Sequence, residues 1–312
     1  MRGRKLNTLF LCVSLTGLGA CGGGGGTGMN FIPAPPPAPP PPPPPPTVAA
    51  TAPFGLTTSQ QFATYGALSR SDAGAYNVKP ADPSAISFRW SATSNTYEMT
   101  VPGFSPAQLS LSFPGNNERA FWAVDGSGNR LPLAVSVLLP SDTNVNLSYS
   151  SLAFYQTYPD NATNPFIYGM FAFGLPTAPG GVPVSGTGIY DAKVRGLTIS
   201  NNGYEIIGDA QLTFDFAAGS LSGYMRPRLF NDWDGVDRAL PQYDFKNTVY
   251  SAGSTAFSGQ LAGPAGTDGS AFDGRFTGPA AQELVAGFKA TYVDPFDSVT
   301  KTMGGVWLGK KQ

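Results

Sequence analysis

From residue 52 onward, apolar and polar positions tend to alternate with period two. In Ile86-Ser-Phe88-Arg-Trp90 and in Tyr97-Glu-Met99-Thr-Val101 every second residue is apolar, which is the spacing of a strand buried on one face. Val135-Ser-Val137 and Leu147-Ser-Tyr149 repeat the pattern. Phe104-Ser-Pro106, Phe113-Pro-Gly115 and Asp125-Gly-Ser-Gly128 read as turns, while Asn116-Asn117-Glu118 and Tyr158-Pro-Asp-Asn161 read as exposed loops. Prolines at 102, 106, 114, 132 and 140 predict short strands here, because proline cannot donate to a ladder. Tyr155, Tyr158, Phe166, Tyr168 and Phe171 form an aromatic run that reads as strand core, with a binding face as the alternative.

After residue 186 the spacing becomes regular. Eight strands are expected, at about 186–197, 204–217, 220–229, 243–250, 256–262, 270–277, 284–293 and 303–309. Asn201-Asn-Gly203, Ala218-Gly219, Asp232 to Asp237, Gly253, Gly263 to Gly269 and Asp294-Pro295 separate them. Leu212, Phe214 and Phe216 share one face, with Thr213 and Asp215 on the other. Phe272 and Phe276 also share a face, and Gly274 between them suggests a sharply coiled strand. Pro279 and the following Ala280, Ala281, Gln282 and Glu283 predict a single helical turn interrupting one hairpin. Short connections favour antiparallel order, and eight such strands close into a barrel without free edges; a flat sandwich is the alternative. The expected fold class is all-β: a C-terminal eight-stranded antiparallel β-barrel over 181–312, preceded by a smaller β-rich, handle-like domain over 52–180.

The pattern upstream differs. Arg2, Arg4 and Lys5 precede a short, interrupted apolar stretch, Leu6 to Leu18, too short to cross about 30 Å of hydrocarbon. This reads as an export signal over 1–20. Leu18-Gly19-Ala20-Cys21 matches a bacterial lipobox, making Cys21 the expected lipidation site, carrying diacylglycerol and palmitate-type chains. A tether over 21–51 follows. Gly22 to Gly26 form a swivel, and Pro33 to Pro46, proline except at Ala34 and Ala38, form a polyproline rod of roughly 40 Å. Gly22 stands where an aspartate would favour the inner membrane, so an outer-membrane location is expected, with exposure at the cell surface.

Composition narrows the chemistry. Without Arg2, Arg4 and Lys5, the 19 Lys and Arg fall to 16 against 20 Asp and Glu, a net charge near −4 that argues against nucleic acid. Cys12 lies in the signal and Cys21 is taken by lipid, so no disulfide is expected in the mature chain. About 260 residues past the tether must therefore be stabilised by core packing. Histidine is absent, which excludes Ser-His-Asp and Cys-His catalysis and the commonest zinc and haem ligands. No catalytic residue, metal site or cofactor is expected, and no enzyme. Asp232-Trp-Asp234-Gly-Val-Asp237 faintly resembles a calcium loop but lacks the longer ladder and final Glu, so it reads as a solvated turn.

Gly274-Arg-Phe-Thr-Gly-Pro-Ala-Ala-Gln-Glu-Leu-Val-Ala-Gly-Phe288 resembles the signature of transferrin-binding protein B-type β-barrels. Phe173-Gly-Leu-Pro-Thr177, Gly186-Thr-Gly-Ile-Tyr190, Gly208 to Phe216, Leu221-Ser-Gly223, Ala256-Phe-Ser-Gly259 and Gly304 to Gly309 are similar to other parts of that barrel, so the resemblance covers roughly 171–312. It implies a lipid-anchored surface lipoprotein that binds a macromolecular or protein-borne nutrient, with a link to iron or haem acquisition. Partners implied are the membrane through the N-terminal lipid, an unknown protein ligand chosen by loops, and an outer-membrane transporter or export partner. Such a protein should carry aromatic or apolar loops at its distal ends. The alternatives are a structural or assembly lipoprotein of the outer membrane, and a hydrolase built on two close carboxylates. Direct haem ligation would have to use Tyr or Met.

Overall fold

The computed structural model describes residues 52–72, 75–79, 86–101, 104, 106–114, 118–139, 145–158, 167–198, 204–231, 235–264, 266–267 and 269–312. The signal, Cys21 and the tether lie outside the described residues, as do Asn116, Asn117, Asn161, Phe166, Asn201 to Gly203, Asp232 and Asp234. Among the described residues the chain is almost entirely strand, and its one helical element is a 3-10 turn at Pro53–Gly55.

The first sheet comprises β1 (Gln60–Gln61), β2 (Ala63–Asp72), β3 (Ala75–Lys79), β4 (Ser87–Ser91), β5 (Thr96–Thr100), β6 (Ala107–Pro114), β7 (Glu118–Val124), β8 (Arg130–Leu138), β9 (Ser150–Thr157) and β10 (Ile167–Gly174). Their order is β1-β4-β5-β6-β7-β8-β9-β10-β2-β3. Only Phe62 separates β1 from β2, so one stretch of chain pairs with β4 at its start and with β10 along its length. The sheet thereby curls nearly shut. The Phe62 N–H donates to the Phe88 carbonyl at 3.1 Å, and the Thr64 hydroxyl to the Ile86 carbonyl at 2.6 Å.

The second sheet comprises β11 (Thr187–Thr198), β12 (Glu205–Asp215), β13 (Ser220–Asn231), β14 (Val236–Ala239), β15 (Tyr243–Val249), β16 (Ala256–Ala262), β17 (Ala271–Thr277), β18 (Glu283–Val293) and β19 (Thr300–Lys311). Pairing of β12 with β13 joins the two ends of the order β12-β11-β19-β18-β17-β16-β15-β13 into a closed eight-stranded antiparallel barrel, with β14 added on β13. The turns at Ala217–Gly219, Tyr250–Thr255 and Gly278–Gln282 lie at one end. Those after β11, β13, β16 and β18 lie at the other.

All eight strands expected after residue 186 are present. The structure corrects several local expectations: Phe113 and Pro114, expected in a turn, end β6, and Glu118, expected in a loop, begins β7. Val236–Ala239, expected within a turn, is strand β14; its sequence shows no alternation, and backbone pairing with β13 holds it. Gly278 to Gln282 is a tight turn, not a helical one. Gly278 and Ala281 both adopt positive φ, at 81° and 55°, which breaks the helical path after Pro279. Leu147 to Tyr149 is not a strand but the approach to β9, fixed by contacts from the barrel. Pro132 lies inside β8, where the pairing with β7 shifts register between Trp122 and Val124. That irregularity accommodates a residue with no N–H.

Strands β10, β18 and β19 have long runs buried on both faces. Their inner faces fill the two interiors, and their outer faces meet one another. Leu152, Met170 and Ala172 from the first sheet pack against Val285, Val306 and Leu308 from the barrel, with Leu147 and Leu197 beside them. The barrel and the nearly closed first sheet are therefore joined wall to wall. Burial at this join pushes the Tyr65 phenol up to about 12, with Asp273 adding to the effect and Arg275 opposing it.

Candidate functional site

Both interiors are filled by the chain's own aromatics. In the barrel, Phe214, Phe257 and Tyr190 surround Phe276 with ring centroids 4.7, 5.5 and 5.6 Å away. Toward the other end, Trp307 stacks on Phe245 at 5.3 Å and on Phe288 at 5.8 Å. The glycines expected to coil the strands are needed for this filling: a Cβ on Gly274 would lie 2.4 Å from the Phe257 ring and 2.7 Å from the Ala286 Cβ. In the first sheet, Phe88 packs with Tyr97, Phe171 and Phe173 at 4.8 to 5.2 Å. Tyr155 and Phe171 of the aromatic run are buried as expected, whereas Tyr158 is partly exposed and tilts against Trp122 at 5.4 Å.

The block carrying the family resemblance does more than turn a hairpin. Glu283, only 1% exposed, begins β18 and points at the segment that leads into β9. Its Oε1 accepts the Ser148 N–H at 2.6 Å and its Oε2 the Tyr149 N–H at 3.0 Å. Burial raises the carboxyl, while these two N–H bonds, the Ser150 hydroxyl and Lys310 pull it back. The neighbouring contacts form a continuous seam. Ser150 and Thr277 share a hydroxyl–hydroxyl bond of 2.7 Å, the Thr177 hydroxyl donates to the Gly278 carbonyl at 2.7 Å, and Lys310 donates to the Asn146 carbonyl at 2.8 Å. Gly278 must be glycine here, since at φ 81° its Cβ would also meet Tyr149 at 2.7 Å. The sequence reading missed this role. The available signal was a glutamate at the head of a strand that is otherwise apolar from Leu284 to Phe288.

Two outer features remain. An open groove of about 500 Å³ runs over β11, β12, β13 and β19. Its carboxylates are already engaged: Asp209 pairs with Lys193, and Asp191 accepts from Gln211 at 3.0 Å and Gln312 at 2.7 Å. These bonds hold the Asp191 carboxyl below its ordinary range. The second feature is the β18–β19 turn at the barrel end away from Gly278. Val293, Phe296 and Val299 are 48%, 50% and 53% exposed. Phe296 stacks on Tyr204 at 5.4 Å. The buried Asp294 accepts from the Phe296 N–H at 2.9 Å, and Asp297 accepts from the Val299 N–H at 2.9 Å. Lys301 bridges both carboxylates at 2.7 and 2.6 Å, and its own pKa is raised by them. Apolar loops at a distal end were expected; Phe296 is the residue the sequence did not single out. Of the acidic loop around Gly235, the described Asp237 is paired with Arg228 at 2.6 Å.

No family model matches the chain, and no curated protein matches it. Among solved structures it is similar to a variant of the vaccine antigen Transferrin Binding Protein B from Haemophilus parasuis, with 12% identity over 82% of this chain and 77% of that one, at a TM-score of 0.38. It is similar to isotype 1 Transferrin binding protein B from serogroup B Neisseria meningitidis, with 13% identity over 76% and 59%, at 0.34. It is also similar to a protein described as a surface lipoprotein, with 13% identity over 66% and 97%, at 0.31. These include structures of the family that the Gly274–Phe288 block resembles.

Proposed function

We propose that this chain is a lipid-anchored binding protein of the outer membrane, facing the cell surface, whose ligand is a protein or protein-borne nutrient linked to iron or haem. The observation that carries the ligand class is the packing of the barrel and of the nearly closed first sheet by their own side chains. A scaffold with packed interiors meets its ligand with loops and outer walls, a geometry suited to a macromolecule. The anchor rests on the basic start, the short apolar stretch and the lipobox cysteine, and the glycine-proline tether is suited to lifting the barrel from the membrane.

Two measurements test the reading. Labelled palmitate should enter the wild-type chain and not Cys21→Ala, and Cys21→Ala should leave the membrane fraction; equal labelling or unchanged attachment defeats the anchor. Purified full-length chain should bind immobilised iron-loaded transferrin or haemoglobin. Binding of neither defeats the ligand reading. A Soret change with free haem alone would shift the ligand from carrier protein to haem itself.

A further inference from the structure

We propose that the end of the first sheet beside Pro53–Gly55 is a binding site for a small monocarboxylate with a benzene-sized apolar body, clamped by Arg119 and covered by Phe54. This site is separate from the protein-ligand reading above and does not depend on it. The first sheet is packed along most of its interior, but at this end it leaves a cavity of about 120 Å³. An apolar cavity of about 150 Å³ admits benzene, so this one suits a single ring or a short branched chain and is far too small for haem. Arg119, Phe121 and Ala123 alternate onto the inner face of β7, and Arg119 stands across from the buried Val137 of β8. Val137, Tyr97, Ser151 and Phe173 complete the walls around it.

The walls select the ligand. Arg119 is the one cation on the lining, and no carboxylate lies there. Among the described residues no Asp or Glu pairs with it. The Ser151 hydroxyl is already committed, donating to the Leu138 carbonyl at 2.6 Å. Burial pushes the Tyr97 phenol up and Arg119 pulls it back, so the guanidinium acts on the inside of the sheet. A guanidinium without an acid beside it, in an apolar recess, matches a planar carboxylate through two parallel bonds. One such cation balances a monoanion, whereas a phosphate would bring a second charge against apolar walls. Those walls then take the apolar body of the acid. The cover is strained. Phe54 has φ 55° and ψ 22°, a left-handed backbone that a bulky side chain rarely adopts. The Leu56 N–H donating to the Pro53 carbonyl at 3.1 Å closes the turn, and ring contacts at 5.9 Å with Phe62 and with Phe173 hold the side chain in place. Backbone strain of this kind gathers at ligand clamps, and here it sets an aromatic ring against the cavity.

The test uses full-length Cys21→Ala chain, so that lipid does not contribute. Benzoate, the neutral benzamide, the cationic benzylamine and the larger 2-naphthoate are titrated by ligand-observed NMR and calorimetry. Benzoate should bind with a dissociation constant of about 1 mM or tighter. The other three should bind at least about tenfold more weakly, two for want of the anion and one for its size. Arg119→Met, checked for an unchanged melting temperature, should lose the preference for benzoate over benzamide, and Arg119→Lys should keep part of it. Phe54→Gly, which relieves the positive φ, should admit 2-naphthoate. Failure of benzoate to bind, or equal binding of benzamide, benzylamine or 2-naphthoate, overturns the site in the parent chain without any variant having to fold. An Arg119→Met chain that still prefers benzoate overturns the clamp, and a Phe54→Gly chain that still excludes 2-naphthoate overturns the cover.

Discussion

Replacing Glu283 with Ala tests whether the barrel and the nearly closed first sheet are held as one unit. The carboxylate makes two charge-assisted bonds across the join, to the Ser148 and Tyr149 N–H groups. Bonds to a charged acceptor contribute about 1.5–3 kcal/mol each. Ser148 is itself exposed, so water replaces part of the loss and the low end applies, about 3 kcal/mol for the pair. Releasing a buried charge returns part of this, on the order of 1 kcal/mol, leaving a net destabilisation of about 2 kcal/mol. For a chain of this size that is about 4–8 °C in melting temperature. Glu283→Gln removes the buried charge but keeps one acceptor oxygen for the two N–H groups, so it should recover part of the loss and not all of it. Urea unfolding followed by tryptophan fluorescence measures the change. A loss under about 0.5 kcal/mol, or a Gln variant equal to wild type, would refute the clasp. The pH dependence has a definite sign. Burial raises the Glu283 carboxyl above its ordinary 4.5, so the native state holds that proton more tightly than the unfolded chain. Its contribution is fully present below the unfolded value and declines as pH rises through the folded one. The gap between wild type and Glu283→Ala should therefore narrow as pH rises from the carboxylate range toward neutrality.

Phe276→Ala removes the centre of the aromatic cluster and should cost about 3–5 kcal/mol by denaturant unfolding; under about 1 kcal/mol would place that ring outside the packed interior. Gly274→Val should destabilise by at least about 1–3 kcal/mol, since even a Cβ meets the Phe257 ring at 2.4 Å; an unchanged melting temperature would show that the interior has room to give.

The resemblance block and the alternating strands made the barrel legible in the sequence, because a half-buried strand must place apolar residues on every second position. Leu212, Phe214 and Phe216 face inward for that reason. The strands that join the two bodies broke the rule. In Leu284 to Phe288 and in Val306 to Leu308 both faces are buried, so period two disappears and the sequence shows only an apolar run. The same run could have been a buried strand of a single sheet. Near-closure of the first sheet was equally hidden, since it depends on one short stretch, Gln60 to Asp72, pairing with strands far away in sequence on two sides.

By itself the sequence determined the local choices: strand positions after residue 186, the glycine that lets Phe257 approach, and the absence of histidine. Each follows from residues acting on their immediate neighbours. The tertiary structure alone decided where Glu283 and Phe296 sit. Glu283 gains its partners from residues about 135 positions away, and burial there turns a surface-type residue into a clasp. Phe296 lies in a turn whose outward direction is fixed by Asp294, Lys301 and Tyr204 together, and no pattern along one chain segment encodes which way a turn points.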